Sequence, residues 1–322
     1  MSDQADQLRR LVRTTVQQHA PLQPGPPLVV VSGGQEGVGT SVIAIQLAKE
    51  LTAQGKRTVL VDANLNHPDI ASRWSLREGL PSEPLSSVNH DLRDTLDEVL
   101  SGDRTVLEVL QSMSEGVRLL PGRCNADSPP KLGDQSPRLG DQAINRLLQG
   151  LHRLHDTTDV IVVDLGCGMS PWAHRLWFAA QQVLLVTTPA PSVVRDSYAM
   201  LKLAEIDSLH EKVRIVVNRC WEKGHAREVF ARLDHTCHRF LDFSLSHFSL
   251  IAEYPDFERQ ETDANGQSVE HDTQVVEACL HADDFPQSVR LLAAEVISHC
   301  LVATARYSHR PDKAVHPQEA MM

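Results

Sequence analysis

Short apolar segments alternate with amphipathic helical segments along most of this chain, and this alternation limits the fold more than any other feature. Each apolar segment is bounded by turn residues and is apolar at consecutive positions, so we expect both of its faces to be buried. Such strands, separated by helices, are typical of a parallel sheet that helices cover on both sides. The sequence therefore predicts α/β architecture with a single doubly wound, mainly parallel β-sheet. The predicted strands are 28–31, 58–61, 160–163, 183–186, 213–217 and a weaker 249–253; the predicted helices are 41–54, 144–155, 193–206, 226–240 and 287–305.

The two ends of the chain differ from this alternating region. Residues 1–18 place apolar side chains at helical spacing and predict a short N-terminal helical appendage. Residues 19–27 contain four prolines and one glycine, which predicts a semi-rigid linker. We therefore expect a main domain over 28–305, a flexible polar tail over 306–322, and surface loops over 122–142 and 256–274.

The charge and residue content argue against several classes of protein. The 322 residues include 31 Lys+Arg and 42 Asp+Glu, a formal charge of −11, and no basic run, so we expect no direct binding to nucleic acid. No apolar run approaches membrane-spanning length, and the N-terminus lacks a signal sequence, which predicts a cytoplasmic protein. The six cysteines are scattered and the sixteen histidines form no metal-binding motif, so we expect no transition metal.

A glycine-rich loop follows the first predicted strand and precedes a helix, in the segment LVVVSGGQEGVGTSVIAIQLAKEL. The pattern GxxxxGK[ST] binds phosphate because its glycines let backbone N–H groups wrap the anion at a helix N-terminus. Its lysine neutralises phosphate charge, and its hydroxyl ligates Mg²⁺. Thr40 stands at the lysine position, whereas the rest of the frame is kept by Gly34, Gly37, Gly39 and Ser41. We interpret the loop as a phosphate site; a glycine turn kept only for packing is the alternative.

The order of these motifs resembles the MinD/ParA branch of the P-loop ATPases, whose loop reads KGGVGK[ST] and whose second strand ends in DxD. The resemblance implies a MinD/ParA-like P-loop fold that binds ATP or ADP with Mg²⁺. It also implies weakened chemistry: Thr40 replaces the phosphate lysine, Gln35 the lysine that crosses a dimer, and Asn64 the aspartate that orients the attacking water. The nucleotide-binding residues that it implies in the loop are Gly34, Gln35, Gly37, Val38, Gly39, Thr40 and Ser41.

Two further segments add residues to the implied site. VIVVDLGCGMS resembles the Walker B and switch region DTGAGIS of the family, which places Asp164 near Mg²⁺ together with Ser41 and Asp62. Asp62 is also the remaining candidate for a catalytic carboxylate. For both aspartates, a capping role at a strand end is the alternative. IVVNRC supplies Asn218 where the family contacts the adenine base, and a simple turn residue is the alternative there.

From the switch region onward, the resemblance narrows to the FlhG/FleN-type flagellar-number regulators. AAQQVLLVTTPAPSVVRDSYAMLKL resembles their AAxEVLVVTTPEPTSxTDAYALIK, and REVFARLDHTCHRFL and VVEACLHADDFPQS follow the order of their C-terminal helices. Residues 3–9, DQADQLR, match the DQAxxLR motif of that subfamily. There the motif helix binds the GTPase FlhF, and its glutamine completes the GTP-hydrolysis site. The resemblance thus implies a partner-binding helix with contacts from Asp3, Gln4, Ala5, Leu8 and Arg9.

These patterns predict a MinD-like regulator of flagellar number or placement that stimulates an FlhF-type GTPase and has lost most or all ATPase activity. Because Gln35 replaces the lysine that crosses the dimer, we expect that ATP does not drive dimerisation; a homodimer of another kind stays open. One alternative is an active MinD/ParA-type ATPase switch. Another alternative is a relative of the exopolysaccharide-export tyrosine kinases, because VDANLNHP resembles a motif of that family. That family has a C-terminal cluster of tyrosines, whereas the tail of this chain has only Tyr307, which argues against this alternative. We expect the C-terminal helix to pack on the sheet; peripheral membrane contact is the alternative. Any placement of the protein at the membrane or at a cell pole would then come through partners.

Overall fold

The computed structural model describes residues 25–77, 95–122, 141–204, 210–253 and 284–308. The predicted N-terminal helix with its partner-binding residues, the loop at 256–274 and most of the predicted tail lie outside these ranges. The strands in the described residues are β1 (Leu28–Gly33), β2 (Thr58–Asp62), β3 (Gln111–Ser112), β4 (Arg118–Leu120), β5 (Val160–Cys167), β6 (Gln182–Thr187), β7 (Val213–Cys220) and β8 (His247–Ala252). The α-helices are α1 (Thr40–Ala53), α2 (Ile70–Arg77), α3 (Leu96–Ser101), α4 (Val106–Val109), α5 (Asp141–His152), α6 (Pro171–Ala179), α7 (Pro191–Leu203), α8 (Lys223–Leu241) and α9 (Asp284–Ser308).

The eight strands form one sheet in the order β3-β4-β2-β5-β1-β6-β7-β8. Neighbouring strands are parallel throughout, except for the short antiparallel pair β3 and β4. β1 lies at the centre, where Val30 aligns with Val163 of β5 on one side and with Val183 of β6 on the other. The predicted mainly parallel α/β sheet is confirmed, and the carboxyl ends of β1, β2, β5 and β7 meet at one edge.

Helices cover both faces of the sheet, which explains why its central strands are apolar at consecutive positions. Val29 and Val31 of β1 point into a core formed with α1, α2 and α9. Leu28 and Val30 of the same strand point into a second core, formed with α3 to α8. Each face of the strand is therefore buried by its own layer of helices, as the unbroken apolar run predicts.

The long C-terminal helix α9 packs on the sheet beside α1 and β8. Leu292 and Val296 are fully buried in the core on that side. A polar contact fixes the same helix: the Glu295 carboxylate accepts hydrogen bonds from Arg214 Nη1 (3.0 Å) and Ser249 Oγ (2.6 Å). This packing agrees with the packed-helix expectation. No helix in the described part of the chain is both long enough and apolar enough to cross a membrane.

The region between β2 and β5 departs most from the sequence-based expectation. It contains α2, α3, α4, β3 and β4, none of which was predicted, and all are eight residues or shorter. Helices α3 and α4 each begin with a T-x-x-E capping box, in which Glu98 bonds to Thr95 and Glu108 bonds to Thr105. This local signal was available in the sequence. In addition, α5 begins at Asp141 and ends at His152, three residues earlier at each end than predicted.

Candidate nucleotide site

The glycine-rich loop joins the end of β1 to the start of α1 and has the backbone of a phosphate-binding loop. Gly37 (φ 77°) and Gly39 (φ 100°) adopt left-handed conformations that glycine tolerates without strain, and Gly39 is the residue that caps α1. Gly34 has a different role, because a Cβ there would lie 2.6 Å from the backbone of Asp196 in α7. The glycines therefore serve both the turn and the close approach of a neighbouring helix.

The side chains of the loop divide into an anchored half and an exposed half. Val38 is buried in the core that contains α1, which fixes the loop to the body of the protein. Gln35 and Glu36 are exposed, and the Glu36 carboxylate lies 3.4 Å from Nε2 of His67 in the segment after β2. Thr40, at the lysine position, is nearly buried as the first residue of α1. The loop therefore carries no lysine at either of the two family positions.

Two aspartates lie on the strands beside the loop, Asp62 as the last residue of β2 and Asp164 within β5, and one oxygen of Asp164 has no partner among the described residues. Asp62 of β2 and Asp164 of β5 are directly aligned in the sheet, and both are almost fully buried. Asp164 Oδ1 accepts a hydrogen bond from Gly166 N (3.0 Å), whereas Oδ2 has no partner among the described residues. Burial raises the pKa of Asp164 to about 6, against the opposing influence of the nearby Ser41 hydroxyl and of the Gly166 amide.

Asp62 is engaged in holding the next helix. Its Oδ2 accepts a hydrogen bond from Ile70 N (3.1 Å) at the first residue of α2, and its Oδ1 accepts a longer one from Asn64 N (3.4 Å). Burial, followed by the charge of Asp164, raises the pKa of Asp62 well above its usual range. Asp62 thus combines its place beside Asp164 with the capping role that the sequence left open as an alternative.

Asn64 is turned toward the backbone of its own segment. Its Oδ1 accepts a hydrogen bond from His67 N (3.2 Å), and its side chain packs on Gly166, where a Cβ would come within 2.5 Å of Asn64 Cγ. An amide in this arrangement carries no negative charge with which to activate a water molecule. The position that the resemblance assigns to a water-orienting aspartate is structural in this chain.

The end of β7 contacts the loop through two consecutive residues. Asn218 Nδ2 donates to the Val38 carbonyl (2.8 Å), and Arg219 Nη2 donates to the Gly37 carbonyl (2.7 Å). Asn218 is nearly buried beside Gly39, where a larger residue than glycine would meet its amide. Arg219 is exposed and was not predicted from the sequence, although it directly follows Asn218 in IVVNRC.

Several known proteins are similar to this chain, although no protein-family model matches it. The antiactivator FleN of Pseudomonas aeruginosa is 28% identical over 70% of this chain and 72% of its own length. The septum site-determining protein MinD of Synechocystis is 27% identical over 60% of this chain and 64% of its own length. The flagellum site-determining protein YlxH of Helicobacter pylori is 22% identical over 64% of this chain and 62% of its own length. The chain thus spans slightly less than two thirds of MinD and of YlxH.

Solved structures share the fold. The cell division ATPase MinD of Pyrococcus furiosus superposes with a TM-score of 0.56 at 17% identity, over 85% of this chain and all of its own. A plasmid partition protein of Borrelia burgdorferi bound to AMPPNP gives 0.58 at 14% identity over the same shares. The chain has a MinD/ParA-like P-loop fold. MinD of Pyrococcus horikoshii, complexed with Mg-ADP, gives 0.50 at 19% identity, over 71% of this chain and 82% of its own.

The MinD/ParA frame brings most of the predicted site residues together. Ser41 and Asp164 lie close enough for the serine hydroxyl to lower the pKa of the aspartate, and Asp62 is aligned with Asp164. Asn218 contacts the loop, whereas Gln35 is exposed on its outer side. The described residues hold no group of three or more His, Cys, Asp or Glu that could bind a metal.

The residues of the site fit a Mg-nucleotide. The unpartnered Asp164 Oδ2 beside Ser41 suits a hard cation, and the N-terminus of α1 offers backbone N–H groups to a phosphate. A bound Mg²⁺ would supply neutralisation of phosphate charge. Thr40 and Asn64 are neutral side chains, and Asn64 Oδ1 accepts a hydrogen bond from the backbone amide of His67.

Proposed function

We propose that this chain is a MinD-like regulator of flagellar number or placement that binds Mg-ADP or Mg-ATP weakly and hydrolyses ATP at a negligible rate. The observation that carries the proposal is the loop itself, which keeps the phosphate-binding backbone but has a nearly buried threonine, Thr40, at its lysine position. The similarity to FleN and YlxH supports the flagellar part of the proposal.

Weak binding follows from the charges at the site. A charge-assisted hydrogen bond between lysine and phosphate contributes roughly 1.5–3 kcal/mol, and Thr40 cannot form one. The backbone N–H groups and the dipole of α1 remain as phosphate ligands. Ser41 and Asp164 are the residues that would hold Mg²⁺. Affinity should therefore be reduced without being abolished.

We infer negligible hydrolysis because several substitutions each remove a group that would stabilise the same transition state. Removing a single group that stabilises charge in phosphoryl transfer lowers the rate by about 10³-fold or more. In this chain Thr40 and Gln35 replace two lysines, and Asn64 replaces the carboxylate that would orient the attacking water. Weak nucleotide binding can persist under these substitutions, but efficient turnover cannot.

The output of the regulator is proposed to come from the N-terminal segment. Residues 3–9 read DQADQLR, and the proline-rich residues 19–27 separate this motif from the nucleotide site. Its partner in the proposal is an FlhF-type GTPase. The amide of Gln4 can both donate to and accept from an attacking water, and Leu8, Leu11 and Val12 stand at helical spacing in the sequence. Stimulation of the partner therefore does not require ATP hydrolysis by this chain.

The test measures GTP hydrolysis by the FlhF-type GTPase of the same genome with and without the purified full chain. We expect stimulation by the unchanged chain. Gln4→Ala should remove most of the stimulation while keeping binding, whereas Leu8→Ala should weaken binding itself. Gln17→Ala, which lies outside the motif, is the matched control. Failure of the unchanged chain to bind or stimulate this GTPase would contradict the flagellar proposal.

A further inference from the structure

The geometry points to Arg219 as the residue that supplies positive charge to the phosphates of a bound nucleotide, in place of the missing loop lysine. This inference rests on the nucleotide binding proposed above. Arg219 Nη2 lies 2.7 Å from the carbonyl oxygen of Gly37, in the exposed half of the phosphate loop. The guanidinium thus reaches the loop from β7, from outside the loop's own sequence.

The backbone at Arg219 supports a functional placement of this side chain. Its φ of 55° is in the left-handed region, which disfavours residues other than glycine, asparagine and aspartate. The pairing of β7 with β8 also shifts register between Val217 and Cys220, so Arg219 lies at an irregularity of the strand. Irregularities of this kind turn side chains out of the strand pattern and are frequent beside functional sites. Here the irregularity directs the guanidinium to the loop.

Arg219, like Arg118 and Arg146, donates to a backbone carbonyl, whereas other arginines are bonded to carboxylates. Arg73 is bonded to Asp69 and Arg214 to Glu295. No carboxylate in the described part of the chain pairs with Arg219, and the loop's own acid, Glu36, lies beside His67 instead. The bond to Gly37 uses one of the five N–H donors of the guanidinium, a group whose planar fork matches phosphate oxygens. The side chain can therefore pivot from the carbonyl to an incoming phosphate.

The need for such a cation comes from the acidic surroundings. Asp62, Asp164 and the exposed Glu36 place carboxyl groups around a loop that lacks both family lysines. Carboxylates repel a nucleotide's phosphates unless a cation lies between them. Mg²⁺ would neutralise charge on the Asp164 side, and Arg219 would do so on the side of Gly37.

The test is calorimetric titration of the purified full chain with Mg-ADP and Mg-ATP, at low and high salt. We expect Arg219→Ala to weaken both affinities about tenfold or more at low salt, and less at high salt, where charge is screened. Arg219→Lys should recover part of the affinity, whereas Arg219→Gln, which keeps an amide donor but no charge, should not. Arg227→Ala removes the same charge from the exposed face of α8 and should leave affinity unchanged. Thermal unfolding without nucleotide checks that each variant is folded.

The other outcomes are distinguishable. If the unchanged chain binds nucleotide and Arg219→Ala binds it equally well, the inference is wrong and the proposed nucleotide site stands. If Arg219→Gln restores full affinity, Arg219 only holds the loop through Gly37, and the charge role is wrong. If the unchanged chain binds neither nucleotide, the proposed nucleotide binding is itself wrong, and the inference is lost with it.

Discussion

Individual residues in this site have taken on structural roles that their sequence positions do not reveal. Asp62 caps α2 through the amide of Ile70, and Asn64 accepts a hydrogen bond from the amide of His67. Asp164 differs from both, because its Oδ2 is buried without a partner among the described residues. A buried carboxylate without a full set of hydrogen bonds destabilises the protein, and a site that binds a cation is one place where such a group is expected.

Asp164 should therefore make the nucleotide-free protein less stable at neutral pH. Its pKa is about 6 when folded against an ordinary 3.8, so between these values the folded state binds the proton and the unfolded state releases it. Stability should fall as pH rises through this window and stay lower above it, by an amount of roughly 3 kcal/mol. Asp164→Asn should then raise the free energy of unfolding by roughly 1–3 kcal/mol at pH 7.5, with the gain vanishing below about pH 4.

Urea denaturation at pH 4, 6 and 7.5 measures this effect. Asp156→Asn is the matched control, because that carboxylate is 84% exposed and its removal should change stability little. A destabilised Asp164→Asn variant at pH 7.5 would contradict the view that the buried Asp164 carboxylate, with its unpartnered Oδ2 among the described residues, costs stability.

The sequence could predict which residues form the candidate site, but not the directions in which their side chains point. The sequence proposed Gly34–Ser41, Asp62, Asp164 and Asn218 from the order of motifs along the strands, and the structure brings these residues near one another, while their roles in binding stay predictions. Arg219 was missed because its direction depends on a left-handed φ and a register shift, neither of which a one-dimensional pattern encodes. The structural contacts of Asn64 were not predicted for a related reason, because one of them is with Gly166, about a hundred residues away in the chain.

Among the structural elements, the phosphate loop and α7 lie in close contact. A Cβ on Gly34 would lie 2.6 Å from backbone atoms of Asp196 and Ser197, which cannot rotate away as a side chain would. Gly34→Ala should therefore separate the loop from α7 and lower the free energy of unfolding by about 1–3 kcal/mol. Gly224→Ala lies in the first turn of α8, where a Cβ would meet nothing within 4 Å, so this substitution should leave stability unchanged or slightly raise it. Equal stability of the two variants in urea denaturation would show that the loop and α7 are not in tight contact.

The long strands buried on both faces were predicted well, whereas helix α6 and the short elements between β2 and β5 were not. The five strands from β1 to β7 that carry consecutive apolar residues were located within a few residues, because burial on both faces leaves a clear pattern. β3 and β4 have two and three residues, too few for any periodicity to appear. Helices α3 and α4 are signalled only by their capping boxes.

For the whole molecule, we propose that a MinD/ParA-like fold has kept its nucleotide-binding frame and lost the charges that drive hydrolysis. The frame persists because its glycines, buried strands and flanking helices also maintain the core. Thr40, Gln35 and Asn64 lie outside the two apolar cores, so residues at these positions can differ from those of the family without changing the fold. The fold class was predictable for the same reason, since the pattern that specifies the core is independent of the residues that perform catalysis.

Steady-state hydrolysis of ATP by the purified full chain with Mg²⁺ tests this account most directly, with Ser41→Ala and Asp62→Ala measured in parallel. We expect the unchanged chain to release phosphate no faster than the two variants, because the groups that would stabilise the transition state are already absent. A turnover by the unchanged chain that either variant abolishes would contradict the account.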